Sequence, residues 1–204
     1  LMVVLVTSML NFPGQRNFVD ALMKLHPEIT TIVENVNSRH TNVILGNKEK
    51  ILYGPGFIKD DILGLTFEIS PSSFFQVNPE QVEVLYKTAL DLIDIKKNKI
   101  VLDAYSGVGT IGLIASKNAK KVISIEIVKD AHKNARKGSD EKFLSTLINK
   151  KVSQIIYVSC DPETLARDLE YLKQSYDVTY IQPVDMFPMT AHVETVACLR
   201  LKER

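Results

Sequence analysis

Two side chains in the C-terminal half of the 204-residue sequence stand where they could do chemistry. Cys160 ends the apolar run QIIYVSC and precedes Asp161-Pro162, a pair that typically begins a helix. A thiol at the carboxyl end of a strand lies on the ligand side of a doubly wound sheet, and the following helix favours its thiolate. Cys160 is therefore a candidate nucleophile, although a lone cysteine is more often a small buried hydrophobic residue. For Cys198, in mid-strand, we favour that second interpretation.

Glu194 is the candidate proton acceptor. It lies between Val193 and Thr195 in an apolar C-terminal run, so it either points to solvent or is placed in a site. The pattern alone favours the solvent face. Burial would raise the pKa of this carboxyl group and suit it to proton abstraction.

The segment IVLDAYSGVGTIGL predicts a cofactor site. An apolar strand ends at Asp103, and a glycine-rich turn that includes Gly107 then opens a helix. Roughly 20 residues further on, the strand VISIEI ends at Glu126, whose carboxylate could accept hydrogen bonds from ribose hydroxyls. We take the turn to lack the third glycine of the dinucleotide spacing G-x-G-x-x-G, so this order favours S-adenosylmethionine over NAD, and a plain packing turn is the alternative.

The elements around these residues predict an α/β fold. Residues 1–70 read as a small α+β domain of mainly antiparallel strands. The predicted elements there are strands at 2–8, TTIVENVN, TNVILG, KILYG and ILGLTFEIS and a helix at 16–26. From residue 71 to 204, a helix at 79–93 is followed by alternating strands and helices, which predicts a Rossmann-like doubly wound methyltransferase sheet.

Composition excludes several other classes. The hydrophobic share of 45% and charged share of 24% are ordinary for a globular protein. A net charge of +1 gives no overall positive potential that would attract nucleic acid. An RNA-binding site must therefore be a local feature or lie partly on sequence outside this chain. Two cysteines allow neither a disulfide framework nor a four-thiolate metal site, and no metal is predicted. The short apolar start reads as a buried strand, so the cytoplasm is the expected location, and oligomeric state is left open.

Five motifs, in order, resemble those of the RNA uracil-C5 methyltransferase family, above all the bacterial enzymes that act on 23S ribosomal RNA. They are SSFFQVNPEQ (72–81), DAYSGVGTIGL (103–113), SIEIVKDA (124–131), YVSCDPETLARDL (157–169) and QPVDMFPMTAHVETVA (182–197). The resemblance implies a methyl group donated by S-adenosylmethionine to carbon 5 of a uridine in RNA, with rRNA favoured over tRNA.

The resemblance also implies a role for each matching residue. The cofactor would be bound by Gln76, Tyr105, Gly107 and Glu126, and the substrate by Phe74, which stacks near the target base, and Arg136. Cys160 matches the nucleophile and Glu194 the general base. The chemistry needs a thiol and a base. A thiolate added to carbon 6 of uracil makes carbon 5 nucleophilic, and a base must then remove the carbon-5 proton.

The chain departs from the family pattern in two places. The N-terminal RNA-binding β-barrel of the family, which often carries an iron–sulfur cluster, is not present, so we expect a fragment. Between Ala135 and Arg136, on the order of 40–50 residues of the family pattern are missing, about one helix–strand crossover and a strand. Two alternatives stay open. One is a catalytically inert relative that binds the cofactor or RNA, and the other is a cytosine-C5 enzyme, which the Ser-Cys-Asp-Pro context disfavours.

Overall fold

The computed structural model describes the whole chain apart from residues 40–42, 74, 77, 95–99, 108, 126–138, 140, 191 and 204. The chain divides into two compact units, Leu1–Phe75 and Gln76–Arg204. Among the described residues, no helix combines the length and the apolar character that crossing a membrane would require.

Unit 1 contains a three-stranded sheet and a separate hairpin. Its elements are β1 (Met2–Thr7), α1 (Gln15–Leu25), β2 (Thr31–Val36), β3 (Lys48–Tyr53), β4 (Ile58–Ile62) and β5 (Leu65–Ile69). Strand β2 lies in the middle of the sheet, parallel to β1 and antiparallel to β3, while β4 and β5 pair with each other. Helix α1 makes the crossover between the two parallel strands, and Val19 of α1 packs in one cluster with Ile29 and Ile32.

A buried carboxylate fixes the loop between β1 and α1. Glu34 of β2 is fully buried, and its two oxygens accept hydrogen bonds from Thr7 Oγ1 at 3.2 Å and Gln15 Nε2 at 2.8 Å. The backbone N–H of Asn11 donates to the same carboxylate at 3.4 Å. These donors satisfy a charge that would otherwise be costly to bury.

One strand prediction in unit 1 holds only in part and another is wrong. ILGLTFEIS is a strand over Leu65–Ile69 alone, because Leu63 and Gly64 both adopt positive φ and turn the chain between β4 and β5. The described part of TNVILG, residues 43–46, forms no strand. Side-chain amides hold it instead, since Asn37 Nδ2 donates to the Val43 carbonyl at 2.7 Å and Asn35 Oδ1 accepts from Gly46 N at 2.6 Å.

Unit 2 has the alternating order that the sequence predicts. Its elements are α2 (Pro79–Leu92), β6 (Ile100–Ala104), α3 (Thr110–Ala115), β7 (Lys121–Ile125), α4 (Glu141–Asn149), β8 (Gln154–Ser159), α5 (Pro162–Leu172), β9 (Tyr176–Val184) and β10 (Glu194–Leu201). Strands β6 and β7 pair in parallel. Strand β10 inserts between β8 and β9 and runs antiparallel to both.

The core of unit 2 lies between α4, α5 and the sheet β8-β10-β9. Leu144 of α4, Leu165 and Leu172 of α5, and Ala197 and Leu199 of β10 form one buried cluster. Residues of this kind are among the most often buried in proteins, and their burial holds the sheet rigid beneath the turn that follows β8.

Candidate active site

Cys160 lies in a rigid turn between β8 and α5. Asp161 caps α5, since its Oδ1 accepts hydrogen bonds from the backbone N–H groups of Glu163 at 3.0 Å and Thr164 at 3.2 Å. The Ser159 hydroxyl donates to the Asp161 carbonyl at 3.0 Å and accepts from the Asp161 N–H at 3.2 Å. These bonds fix the backbone on both sides of Cys160, whose side chain is exposed.

The other cysteine has a different environment. Cys198 is 2% exposed in the middle of β10, and its sulfur accepts a hydrogen bond from Gln154 Nε2 at 3.4 Å. A thiol in that position packs as a small hydrophobic side chain and is closed to a macromolecular substrate.

Glu194 is brought beside Cys160 by the register of the sheet. The last residue pair between β8 and β10 is Ser159 with Thr195. Cys160 follows Ser159 and Glu194 precedes Thr195, so both lie just beyond the same end of this antiparallel ladder. The sequence pattern alone favoured the solvent face for Glu194, but the residue is only partly exposed. Burial raises the pKa of its carboxyl group, and the electrostatic interaction with His192 opposes that rise.

The predicted cofactor turn follows β6 directly. Tyr105, Gly107 and Gly109 all have positive φ, of 59°, 55° and 80°, so the chain bends sharply before α3 begins. A methyl group built on Gly107 or Gly109 would meet no atom of the described residues within 4 Å, so these residues leave space beside the turn for a ligand. The Tyr105 ring packs edge-to-face against Phe143 of α4, with ring centroids 5.4 Å apart.

Gly112 is a further residue of this turn, and our interpretation that the turn lacks a third glycine is wrong. With Gly107 and Gly109 it completes the spacing G-x-G-x-x-G. A Cβ on Gly112 would lie 2.6 Å from Asp103 Oδ2 and 2.7 Å from Ser124 Oγ, and the Gly112 N–H donates to Asp103 Oδ2 at 2.9 Å. The glycine therefore lets α3 pack closely on β6 and β7. Because this spacing also occurs in dinucleotide sites, it does not by itself favour S-adenosylmethionine over NAD.

Tyr86 connects the cofactor turn with the predicted base. This residue of α2 is 8% exposed, and its hydroxyl is hydrogen-bonded to the side chain of Thr110, the first residue of α3. Burial, together with the negative charges of Glu194 and Asp103, raises the pKa of Tyr86 to about 12. No separate sequence signal marks Tyr86, because a tyrosine on the apolar face of a helix is typical of ordinary core.

A second buried network supports the Cys160 turn from behind. The carboxylate of Asp168, on α5, is 1% exposed and accepts hydrogen bonds from Tyr157 Oη at 2.7 Å and from Ser139 N at 2.8 Å. Arg167 Nη2 forms an ion pair with it at 2.7 Å. Since Tyr157 lies on β8 and Asp168 on α5, their bond closes the strand–turn–helix unit that carries Cys160.

Gln76 is half-buried just before α2. Asn78, two residues later, caps α2 by accepting from Gln81 N at 3.1 Å and donates from Nδ2 to the Met186 carbonyl at 3.0 Å. Asn78 therefore ties the start of α2 to the loop that precedes β10. The other predicted site residues, Phe74, Glu126 and Arg136, lie outside the described residues.

Solved structures of similar fold define the class of this chain. The crystal structure of the Pyrococcus abyssi tRNA (uracil-54, C5)-methyltransferase in complex with S-adenosyl-L-homocysteine matches with a TM-score of 0.80 and 31% identity, over 97% of this chain and 56% of that one. Trm5b from the same organism matches at a TM-score of 0.56 and 10% identity, which shows the fold alone. The chain therefore has the Rossmann-like fold of S-adenosylmethionine-dependent methyltransferases, as the sequence predicts.

Sequence comparisons then show which RNA methyltransferases this chain is similar to. The family model of the tRNA (Uracil-5-)-methyltransferases matches residues 133–202. Uncharacterized RNA methyltransferases from Oceanobacillus iheyensis and Halalkalibacterium halodurans are 42% and 40% identical, each over an alignment of 244 residues that covers 99% of this chain. The chain is thus similar to RNA methyltransferases, and its C-terminal third matches the uracil-5 family model. It spans about half the length of these curated relatives, 53% in both cases.

Proposed function

We propose that this chain carries the catalytic site for transfer of a methyl group from S-adenosylmethionine to carbon 5 of a uridine in RNA. The observation that supports this most directly is the register of β8 and β10, which sets an exposed thiol and a half-buried carboxylate at one end of one ladder. The reaction needs those two groups, one to add to the pyrimidine ring and one to remove a proton from it.

The residues of the glycine turn fit the methyl donor. The backbone at Gly107 and Gly109 leaves open space for a ligand, and we propose that Tyr105 and Gln76 contribute contacts, with Glu126 on the ribose. The P. abyssi relative was crystallised with S-adenosyl-L-homocysteine, the demethylated form of this donor. When bound, S-adenosylmethionine would supply an electrophilic methyl group.

The protein side of the reaction uses two residues. The Cys160 thiolate adds to carbon 6 of uracil, and the electron pair of the ring double bond moves to make carbon 5 nucleophilic. After carbon 5 has taken the methyl group, Glu194 accepts the carbon-5 proton. The double bond then re-forms as the bond between Cys160 and carbon 6 breaks, which releases the thiolate. The raised pKa of Glu194 makes it a stronger base than a solvated carboxylate once it is ionised.

The substrate base would have to leave its stack to reach the exposed thiol, and we propose that Phe74 stacks near it and that Arg136 contacts the RNA. Among RNAs, the motif resemblance favours 23S ribosomal RNA, while the P. abyssi relative is named for a tRNA uridine. Transcripts of 23S rRNA and of tRNA, each made with 5-fluorouridine and without the natural modifications, can be compared. The RNA that forms the trapped complex is the substrate.

Covalent trapping tests the proposal. Fluorine at carbon 5 cannot be removed as a proton, so the methylated adduct stays attached to Cys160 and accumulates even when the reaction is slow. We expect an RNA–protein complex resistant to denaturing electrophoresis that depends on S-adenosylmethionine. Cys160→Ala should abolish it, and Cys198→Ala, the matched control, should retain it. Cofactor binding without any trapped complex would favour the inert relative and overturn the catalytic proposal.

A further inference from the structure

The loop between β9 and β10, residues 185–193, carries a side chain that the mechanism above does not use. Met189 is the most exposed large apolar side chain among the described residues, at 103%, and the next, Ile44, reaches 76%. The φ angle of Met189 is 71°, in the left-handed region that residues other than glycine seldom adopt. The fold thus holds a strained residue whose apolar side chain is left in solvent, and strained residues of this kind cluster where proteins bind their ligands.

Hydrogen bonds on both sides of Met189 hold this conformation. The backbone N–H of Thr190 donates to the Phe187 carbonyl at 3.2 Å, and the Thr190 hydroxyl donates to the same oxygen at 2.7 Å. The oxygen of that hydroxyl accepts a hydrogen bond from the backbone N–H of His192 at 3.3 Å. Met189 is therefore presented by a preorganised turn, so that a ligand would not have to order it on binding.

The register of the sheet places this turn beside the proposed catalytic residues. Val184, the last residue of β9, pairs with Glu194, the first residue of β10. The loop therefore leaves and re-enters the sheet at the end where Cys160 and Glu194 lie. Met186 is fully buried and anchors the loop there, and its carbonyl accepts a hydrogen bond from the side chain that caps α2. Met189, three residues further on, projects from a loop that borders the proposed site.

The proposed reaction gives an apolar projection a use at this position. A uridine within an RNA stack must swing out before a thiolate can reach its carbon 6, and the stack is then left with a gap. Proteins that unstack nucleic acids insert apolar side chains between neighbouring bases, and methionine is one of the residues used. Its unbranched, polarisable side chain suits the flat space between two bases.

We propose that Met189 enters the base stack of the substrate RNA and fills the space that the extruded uridine leaves. This inference rests on the proposed function, and it makes Met189 a positioning residue, since it touches the neighbouring bases and no reacting atom. A filled gap keeps the uridine from returning to the stack, so the base spends more time beside Cys160 and Glu194. Met189 therefore speeds adduct formation on stacked RNA and leaves the thiol itself unchanged.

The test measures how fast the covalent complex with 5-fluorouridine RNA forms. Met189→Ala and Met189→Gly both remove the wedge and should slow trapping about tenfold, because an unfilled gap favours return of the uridine. Met189→Leu keeps an apolar side chain of similar size and should stay within about threefold of the unchanged protein. Ile181→Ala, at a site on β9 that is 54% exposed, is the matched control and should be trapped at the unchanged rate.

A second RNA separates a wedge from a merely structural residue. In this RNA the two nucleotides that flank the uridine found in the adduct carry no base, so there is no stack to fill. The unchanged protein and Met189→Ala should then be trapped at equal rates. Slowing of the same size on both RNAs, or no slowing on either, would overturn the proposal. Glycine tolerates positive φ, so the melting temperature of Met189→Gly should not fall, and a fall would assign the side chain to the fold and count against the wedge.

Acylation of RNA 2′-hydroxyls keeps this inference separate from the proposed chemistry. Transcripts of 23S rRNA and of tRNA are probed with S-adenosylhomocysteine and Cys160→Ala protein, which cannot form the adduct. We expect binding to raise acylation at one uridine and its neighbours, and the added change Met189→Ala to reduce that rise. No rise on either RNA would contradict the wedge.

The two proposals can therefore fail independently. If the acylation pattern depends on Met189 but no complex is trapped, the proposed chemistry fails and the wedge stands. If a complex is trapped but the pattern is the same with and without the Met189 side chain, the wedge alone fails. A dimer of the free chain that Met189→Ala dissociates would show that a second copy covers this residue, and would also overturn the proposal.

Discussion

Removing the Tyr86 hydroxyl should change how the stability of the protein depends on alkaline pH. The pKa of this buried phenol rises from 10.0 to about 12, mainly because burial disfavours the phenolate and also because Glu194 and Asp103 are negative. Each unit of pKa difference between the folded and unfolded states corresponds to about 1.4 kcal/mol. A rise of about two units therefore links roughly 3 kcal/mol of unfolding free energy to the ionisation of Tyr86.

The sign follows from the protonated form being favoured in the folded state. The contribution of Tyr86 is fully present below pH 10 and is lost as the pH rises through about 12. At pH 8, Tyr86→Phe should cost only about 1 kcal/mol, since the Thr110 hydroxyl loses its partner. Between pH 9.5 and 12, the unchanged protein should lose about 2 kcal/mol more than Tyr86→Phe does, because Tyr86 in the folded protein is only half ionised when the pH reaches its pKa of about 12.

Urea unfolding followed by circular dichroism at several pH values measures this difference. The pKa of Tyr157 is also raised to about 12, but Tyr157 is present in both proteins, so its effect cancels. Tyr180→Phe, at a site 41% exposed on β9, is the matched control and should follow the unchanged protein at every pH. Parallel stability curves for Tyr86→Phe and the unchanged protein would refute the claim that burial of this hydroxyl disfavours its phenolate.

Three further outcomes are expected. Iodoacetamide should label the native protein at Cys160 and spare buried Cys198, so mass spectrometry of Cys160→Ser should find no label until the protein is unfolded. Glu194→Gln should raise the urea midpoint at pH 7 and leave it unchanged at pH 4. The reason is that burial raises the pKa of Glu194 in the folded state, so its charged form destabilises the fold. That penalty appears only at a pH above the pKa of Glu194 in the unfolded chain. A lower midpoint at pH 7 would contradict that burial. Gly112→Ala should lower the free energy of unfolding by about 1–3 kcal/mol, because the added Cβ would collide with Asp103 and Ser124. It should also weaken the binding of S-adenosylhomocysteine measured by calorimetry. Leu113→Ala, on the exposed side of α3, is the control and should have neither effect.

Local sequence signals predicted the helices of unit 2 closely. The helix predicted at 79–93 runs from Pro79 to Leu92, and the helix predicted from Pro162 ends at Leu172 as expected. Each begins with a capping side chain followed by proline, Asn78-Pro79 and Asp161-Pro162. Such caps act within one turn of backbone, so they can be read from neighbouring residues.

The strand predictions failed where a turn or loop has a residue composition that is not typical of turns. Leu63-Gly64 turns the chain between β4 and β5, but a leucine at positive φ has no sequence signature, so the predicted strand ILGLTFEIS runs through the turn and β4 is not predicted. Segment 43–46 has the composition of a strand and lies outside any ladder, because the side chains of Asn35 and Asn37 supply its hydrogen bonds. Side-chain bonds between distant residues compete with strand pairing and cannot be read from local pattern.

The sequence by itself determined which residue types are available to the site, through motifs that resemble a known family, and it pointed to Cys160 and Glu194. Only the tertiary structure decided that these two residues, 34 positions apart, lie at the end of the same ladder. It also decided that Cys198 is buried, and that Tyr86 and Asp168 are buried polar residues. The physical reason is that caps and turns depend on neighbours in the chain, whereas burial and register depend on which strands pair.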